Sequence, residues 1–191
     1  MKTEYEATFI DVDKDDIRRR LKGIGAALVH PEVHQHRITL HPPHEKRAKG
    51  VFVRVRDEGD KITMSWKSVK GDAIENQKEV TLVVDNFDAA MEFLELLGCE
   101  RKSYQETKRE LWQIDGTDVT IDEWPFLEPM VEIEGSSEES VRRVAASLGF
   151  DWSAALFCTS KKIYRMKYGE DVDINTVPRL IFDMKNPFVN S

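Results

Sequence analysis

Apolar and polar side chains alternate along short runs of this chain, most plainly at Glu4-Tyr5-Glu6, Val53-Arg54-Val55-Arg56 and Glu132-Ile133-Glu134. A period of two predicts β-strands, because successive strand side chains point to opposite faces. Strand-like runs cover residues 3–10, 33–40, 51–57, 61–68, 77–84, 104–114, 117–123 and 129–134. Elsewhere the period lengthens to about 3.6 residues and predicts helices. Asp13 or Asp15 caps the first, which carries Ile17, Leu21 and Ile24 and stops near Gly25. Asn86 or Asp88 caps a second, with Phe87, Met91, Phe93, Leu94 and Leu97 apolar and Gly98 at its end. Ser136 or Ser137 with Glu139 signals a third through Val141, Val144, Ala145 and Leu148 to Gly149. A fourth spans Thr159 to Tyr168 before Gly169, and Asp57-Glu58-Gly59-Asp60 and Asp115-Gly116-Thr117 read as hairpin turns. Eight strands with helices between the pairs predict an antiparallel α+β domain, with a closed barrel as one arrangement of the strands.

Strand parity assigns the faces. Val51, Val53 and Val55 oppose Arg54 and Arg56, and Val131 and Ile133 oppose Met130, Glu132 and Glu134. Met64 and Trp66 oppose Ser65 and Lys67, while Val80, Leu82 and Val84 oppose Gln77, Glu79 and Thr81. With the apolar faces beneath helices, the charged faces line the barrel's inside. The lumen then holds Glu4, Glu6, Glu79, Asp122, Glu132 and Glu134 against Arg37, Arg54, Arg56, Lys67 and Arg109, six acids and five bases. Taking one charge out of water costs on the order of several kcal/mol unless it is paired or solvated. Eleven enclosed charges are costly as filler, whereas a bound polyanion bridged by divalent cations completes their pairing.

Composition narrows the classes. The 191 residues suffice for one sizeable core, and 40% hydrophobic with 33% charged residues excludes wholesale disorder. A net charge of −7 argues against a nucleic-acid partner bound through a general basic surface. No apolar run reaches membrane-spanning length, and MKTEYEATF lacks the apolar stretch of a signal peptide. Cys99 and Cys158 sit among apolar residues and read as reduced core thiols, so a cytoplasmic protein without membrane association is expected.

In order along the chain, these residues resemble the CYTH family, the triphosphate tunnel enzymes named for class IV adenylyl cyclases and thiamine triphosphatases. Glu4-Tyr5-Glu6-Ala7-Thr8 resembles the family's opening Glu-x-Glu-x-Lys, with Thr8 in place of lysine. Val53-Arg54-Val55-Arg56, Ser65-Trp66-Lys67 and Lys78-Glu79-Val80 resemble its basic, lysine and glutamate strands. Thr107-Lys108-Arg109 resembles Lys-x-Arg with threonine again replacing lysine, and the match is nearest from Ile121-Asp122-Glu123-Trp124-Pro125 through Val131-Glu132-Ile133-Glu134-Gly135. The resemblance implies an α+β fold, a closed eight-stranded antiparallel β-barrel with helices packed outside, as a CYTH domain over residues 1–169 with a C-terminal extension over 170–191. It also implies roles. Arg54, Arg56, Lys67 and Arg109, with Arg37 beside them, would bind phosphate. Glu4, Glu6, Glu79, Asp122, Glu132 and Glu134 would hold Mg²⁺ or Mn²⁺, with Glu4, Glu6 and Asp122 also positioning the nucleophile.

Blander readings stand beside these. Glu4 and Glu6 alone would suit an edge strand, Arg54 and Arg56 cross-strand ion pairs, and Lys67 a side chain reaching out of the barrel mouth. His30, His34, His36, His41 and His44 lie across a strand and loop, not on one helical face, so a solvated loop is expected rather than a zinc site. Residues 41–50 read as a loop at the tunnel mouth, and Trp112, Trp124 and Trp152 as packing residues. Lys161, Lys162, Arg165 and Lys167 read as a solvated helix face, with closure of the tunnel as the alternative.

The expected activity is metal-dependent hydrolysis of a triphosphate: inorganic triphosphate, thiamine triphosphate or ATP. Two alternatives remain: cyclisation of ATP to cyclic AMP and pyrophosphate, and a non-catalytic polyphosphate- or nucleotide-binding protein. Cyclase-type sequences carry a His-Phe pair before the first strand, where this chain has Met1-Lys2-Thr3, and that favours hydrolysis. The missing lysines at Thr8 and Thr107 motivate the binder; the full carboxylate set opposes it. A monomer or homodimer is expected.

Overall fold

A computed structural model of the protein describes residues 1–189 apart from Asp72. Eight strands close on themselves: β1 (Lys2–Phe9), β2 (Ala27–His41), β3 (Val51–Asp57), β4 (Ile62–Val69), β5 (Gln77–Val84), β6 (Glu100–Ile114), β7 (Thr117–Glu123) and β8 (Met130–Gly135). They follow the order β2-β3-β4-β5-β1-β8-β7-β6, and a β2–β6 pairing completes the barrel. Every pairing within the ring is antiparallel. Closure leaves no free edge strand in the ring, although β1 and β5 meet only from Lys2↔Glu79 to Glu4↔Gln77. A ninth strand, β9 (Arg179–Leu180), runs parallel to β6 at Tyr104 and Gln105. It takes the flank that β7 vacates, because β7 ends opposite Lys108.

Two strands are longer than alternation predicts. β2 begins at Ala27 and β6 at Glu100, and they pair from Ala27↔Gln113 to His41↔Glu100 with three register shifts. The shifts absorb Pro31, which lacks a ladder donor, and they break the alternation of residues 27–33. Pairing with a long partner extends these strands where local pattern is silent.

The helices are α1 (Lys14–Gly23), α2 (Phe87–Leu96), α3 (Glu138–Ser147) and α4 (Ser160–Tyr168). Asp13 caps α1 by accepting from Asp16 N–H, and Asn86 caps α2 by accepting from Ala89 N–H. Ser137 caps α3 in a reciprocal box with Ser140, where the sequence pattern had suggested Glu139. α1 and α3 bury Ile17, Leu21, Val141, Val144 and Leu148 against Ala7, Val119, Ile121, Val131 and Ile133 on the outer face of β1, β7 and β8. α2 buries Ala90, Met91 and Leu94 on Leu40, Val53 and Val55 of β2 and β3. Each such side chain contributes about 1.5–3 kcal/mol by leaving water. A third cluster joins Trp124, Met130, Ile163, Tyr164, Ile174 and Leu180, which seats α4 and the segment after it on one end of the barrel.

Helical cover is incomplete. On the outer face of β5, Val80 and Leu82 remain 43% and 53% exposed. α2 lies over β2 and β3 and α3 over β1, β7 and β8, so the strand between them keeps its apolar face bare, against the parity argument. Cys99 and Cys158 are buried free thiols. Among the described residues no helix is long and apolar enough to cross a membrane.

Candidate active site in the barrel interior

Alternation turns Glu4 and Glu6 of β1, Arg54 and Arg56 of β3, Lys67 of β4, Glu79 of β5, and Glu132 and Glu134 of β8 onto the inner wall. β2 and β6 add Arg37 and Arg109, and all these side chains line one cavity of about 260 Å³. Asp122 of β7 stands behind the wall at 1% exposure and reaches the cavity only through Arg109.

The charges interlock. Lys67 Nζ lies 3.0 Å from Glu4, 3.5 Å from Glu6 and 3.8 Å from Glu79. Arg54 Nη2 donates to Glu79 Oε1 at 3.1 Å, and Arg56 donates to Glu58 Oε1 at 2.7 Å. Arg109 bridges Asp122 and Glu132, at 2.6 Å and 2.5 Å. Among the described residues Arg37 has no carboxylate partner; its Nη2 donates to Thr107 Oγ1 at 3.0 Å and its guanidinium lies 4.3 Å from the Trp124 ring centroid. Thr107, the residue standing for an expected lysine, thus anchors an arginine from the neighbouring strand. Thr8, the other substitution, is 1% exposed and outside the cavity lining.

Burial and crowding move the proton affinities. Burial pushes the Glu4 carboxyl up, against Lys67, with Glu79 and Glu134 adding to the rise. Burial also raises Glu132, with Glu6 and Asp122 adding repulsion, and raises Glu134, again beside Glu6. Burial opposes ionisation of Glu79 too, yet Arg54 and Lys67 hold it below the usual carboxylate range. Lys67 and Arg109 are pushed down by burial but held above their ordinary values by the acids around them. Arg37 is lowered by burial and by Arg54, Arg56 and Arg109.

These carboxylates suit a hard divalent cation in kind. All offer oxygen, the preferred donor of Mg²⁺ and Mn²⁺. Glu4 Oε2 is buried without a hydrogen bond although Lys67 Nζ is 3.0 Å away, since the approach is misdirected. Burial is the chief cause of the rise at Glu4, Glu132 and Glu134, and a divalent cation relieves the repulsion that adds to it. As the side chains stand, no three acidic, histidine or cysteine groups among the described residues converge on one point. Lys67 and Arg109 occupy the space between the acids.

Several lining residues escape strand parity. Lys102 sits beside the register shift between Thr39 and Leu40, which disrupts alternation, and Trp124, Lys161 and Asn175 enter from outside the strands. Lys161 therefore leaves the solvated face expected of it; it pairs with Asp173 at the cavity rim. Trp124 likewise lines the cavity instead of only packing, whereas Trp112 is core and Trp152 packs at the core's edge. Residues 41–50 border the mouth through Gly50, where any Cβ would fall 1.9 Å from Val69 O. The histidines gather no metal set; His30 and His34 lie instead 3.4 Å from Asp60 and Glu106.

A family model described as CYTH domain matches residues 2–162. No curated protein matches the chain. Among solved structures, a conserved hypothetical protein from Pyrococcus furiosus superposes with a TM-score of 0.68 at 19% identity, covering 82% of this chain and 97% of its own. A proposed adenylate cyclase from Vibrio parahaemolyticus gives 0.71 at 14% identity, covering 85% and 98%. A proposed adenylyl cyclase from Hippeastrum, described as having a dominant triphosphatase activity, gives 0.55 at 11% identity, covering 90% and 98%. At such identities the likeness is one of fold.

Proposed function

The chain belongs to the CYTH family, and from that premise we propose that it is a metal-dependent triphosphatase working inside its barrel. The observation that carries this reading is the interlocked wall of acids and bases around a closed cavity. A polyphosphate can exchange the carboxylate partners of Arg54, Lys67 and Arg109 for its own oxygens, and the carboxylates so released would be compensated by a divalent cation. Arg54, Arg56, Lys67 and Arg109 hold the phosphate chain, with Arg37 beside them. Glu4, Glu6, Glu79, Glu132 and Glu134 hold Mg²⁺ or Mn²⁺, with Asp122 orienting Arg109. The cation, when bound, neutralises phosphate charge and so lowers the barrier to displacement.

The protein's own part is orientation, charge and one proton. Water attacks a terminal phosphorus, the bond from that phosphorus to the bridging oxygen breaks, and phosphate leaves pyrophosphate or its organic ester behind. Glu4 and Glu6, side by side on the inner face of β1, are placed to accept the proton of the attacking water. Enclosure keeps the arginine hydrogen bonds in a medium where they are stronger than in water.

One assay tests this. Purified protein is given inorganic triphosphate, thiamine triphosphate and ATP with each metal, and phosphate, pyrophosphate and cyclic AMP are separated. Metal-dependent phosphate release is expected. Cyclic AMP with pyrophosphate would replace the reading by a cyclase, and binding without product by a non-catalytic binder.

A further inference from the structure

Of the four arginines lining the tunnel, three have carboxylates. Arg54 has Glu79, Arg56 has Glu58, and Arg109 has Asp122 and Glu132. Arg37 is 6% exposed and has no ion pair among the described residues. One hydrogen bond to Thr107 and the face of Trp124 hold it, and its Nε is buried without a partner. A buried guanidinium with no ion pair of its own, crowded by three others, is costly to the folded protein. Its fixed position makes it a receptor: an anion arriving there gains a charge-assisted hydrogen bond without breaking an existing pair.

The rest of the cavity says what kind of anion. Toward the mouth, Lys102 and Lys161 line the wall, and the only acid paired with either among the described residues is Asp173, on Lys161. Lys102 lies three residues from Gln105, the β6 partner of Arg37, about 10 Å along the strand. A ligand spanning this stretch meets positive charge at both ends. An organic triphosphate carries phosphate at one end only; adenosine is neutral and thiamine cationic. Trp124 cannot stack a base while Arg37 covers it, which leaves Phe52 as the free aromatic ring of the lining. The cavity of about 260 Å³ also falls below the roughly 300–1,000 Å³ typical of sites for drug-sized ligands.

We propose that Arg37 is a specificity-determining anion-binding residue, and that with Lys102 and Lys161 it selects inorganic triphosphate, anionic at both ends, over organic triphosphate esters. This rests on the triphosphatase reading and names its substrate.

Calorimetric titration of the full chain in excess chelator tests it apart from turnover, with inorganic triphosphate, ATP and thiamine triphosphate as probes. Inorganic triphosphate should bind at least tenfold more tightly than either ester. Arg37→Gln should weaken it at least tenfold and Arg37→Lys should restore part of the loss. Lys102→Ala should weaken inorganic triphosphate more than ATP. Arg37→Met supplies a readout that a structural role would not give: thermal stability holds or rises while triphosphate binding is lost. If Arg37→Met unfolds the protein, or Arg37→Gln binds inorganic triphosphate as wild type does, Arg37 is structural and the proposal falls. Tighter binding of ATP with metal-dependent phosphate release would sink the substrate choice and leave the triphosphatase standing. Binding of no triphosphate, in chelator and again with Mg²⁺ or Mn²⁺ added, would remove both.

Discussion

Arg109 and Asp122 face each other across β6 and β7 in a two-point ion pair, Nε to Oδ1 at 2.6 Å and Nη2 to Oδ2 at 2.8 Å. Thr120 Oγ1 donates to the same Oδ2 at 2.7 Å, so Asp122 is saturated within the wall. Asp122 therefore aims Arg109 and Glu132 at the cavity.

Removing Asp122 should damage the fold as well as the site. Asp122→Ala leaves Arg109 with Glu132 alone, and breaking a buried pair costs about 3–5 kcal/mol. Urea unfolding should show a fall in unfolding free energy of that size. A shift below about 1 kcal/mol would show that water reaches Arg109 and relieves it.

Glu134→Gln should do the reverse. Burial and Glu6 already disfavour its charge, so the neutral isostere should leave stability unchanged or raised. Phosphate release should nearly vanish, as it should in excess chelator, and added Mg²⁺ or Mn²⁺ should restore only the wild type. Full turnover by Glu134→Gln would take this residue out of the metal site.

Glu58 gives the pH dependence. Burial alone would raise its carboxyl, but Arg56 and Thr63 pull it down to about 2 from an ordinary 4.5. A depressed folded value means that its contribution is present above about pH 4.5 and lost as pH falls toward 2. Arg56 itself is lowered to about 10 by burial and by Arg54 and Arg109, so the pair is favourable chiefly from the carboxylate's side. Glu58→Gln should destabilise the protein by about 2–4 kcal/mol at pH 7, with the difference shrinking as pH falls from 4.5 to 2. A difference that stays constant over that range would exclude the ion pair as its source.

Thr8→Lys should not improve catalysis, although lysine is the residue the family resemblance expects there. Thr8 is buried, pairs in register with Glu132 and is bridged by the Leu156 backbone. The larger side chain should cost about 1–3 kcal/mol through overpacking. A stable variant with a lower KM for inorganic triphosphate would show that the lysine reaches the cavity.

Local pattern determined a great deal of this protein. Alternation at Glu4-Tyr5-Glu6, Arg54-Val55-Arg56 and Glu132-Ile133-Glu134 specified strand, register parity and inward face together, because each strand residue carries its face with it. Spacing and caps located α1, α2 and α3 for the same reason: Asp13, Asn86 and Ser137 satisfy N–H groups three residues away. Tertiary structure decided what no short window contains. Closure depends on β2 meeting β6 across about 70 residues of chain, as Arg37 and Thr107 do. Lys102, Trp124 and Lys161 reach the cavity through a register shift, a strand end and a docked helix, none of which has a period. The bare face of Val80 and Leu82 shows the same limit, since pattern marks a face as apolar but only packing chooses which faces are covered. Arg37 shows it most sharply. Its inward direction was written in β2, but its lack of a carboxylate depends on where every other strand placed its acids, and charge pairing is a property of the assembled barrel.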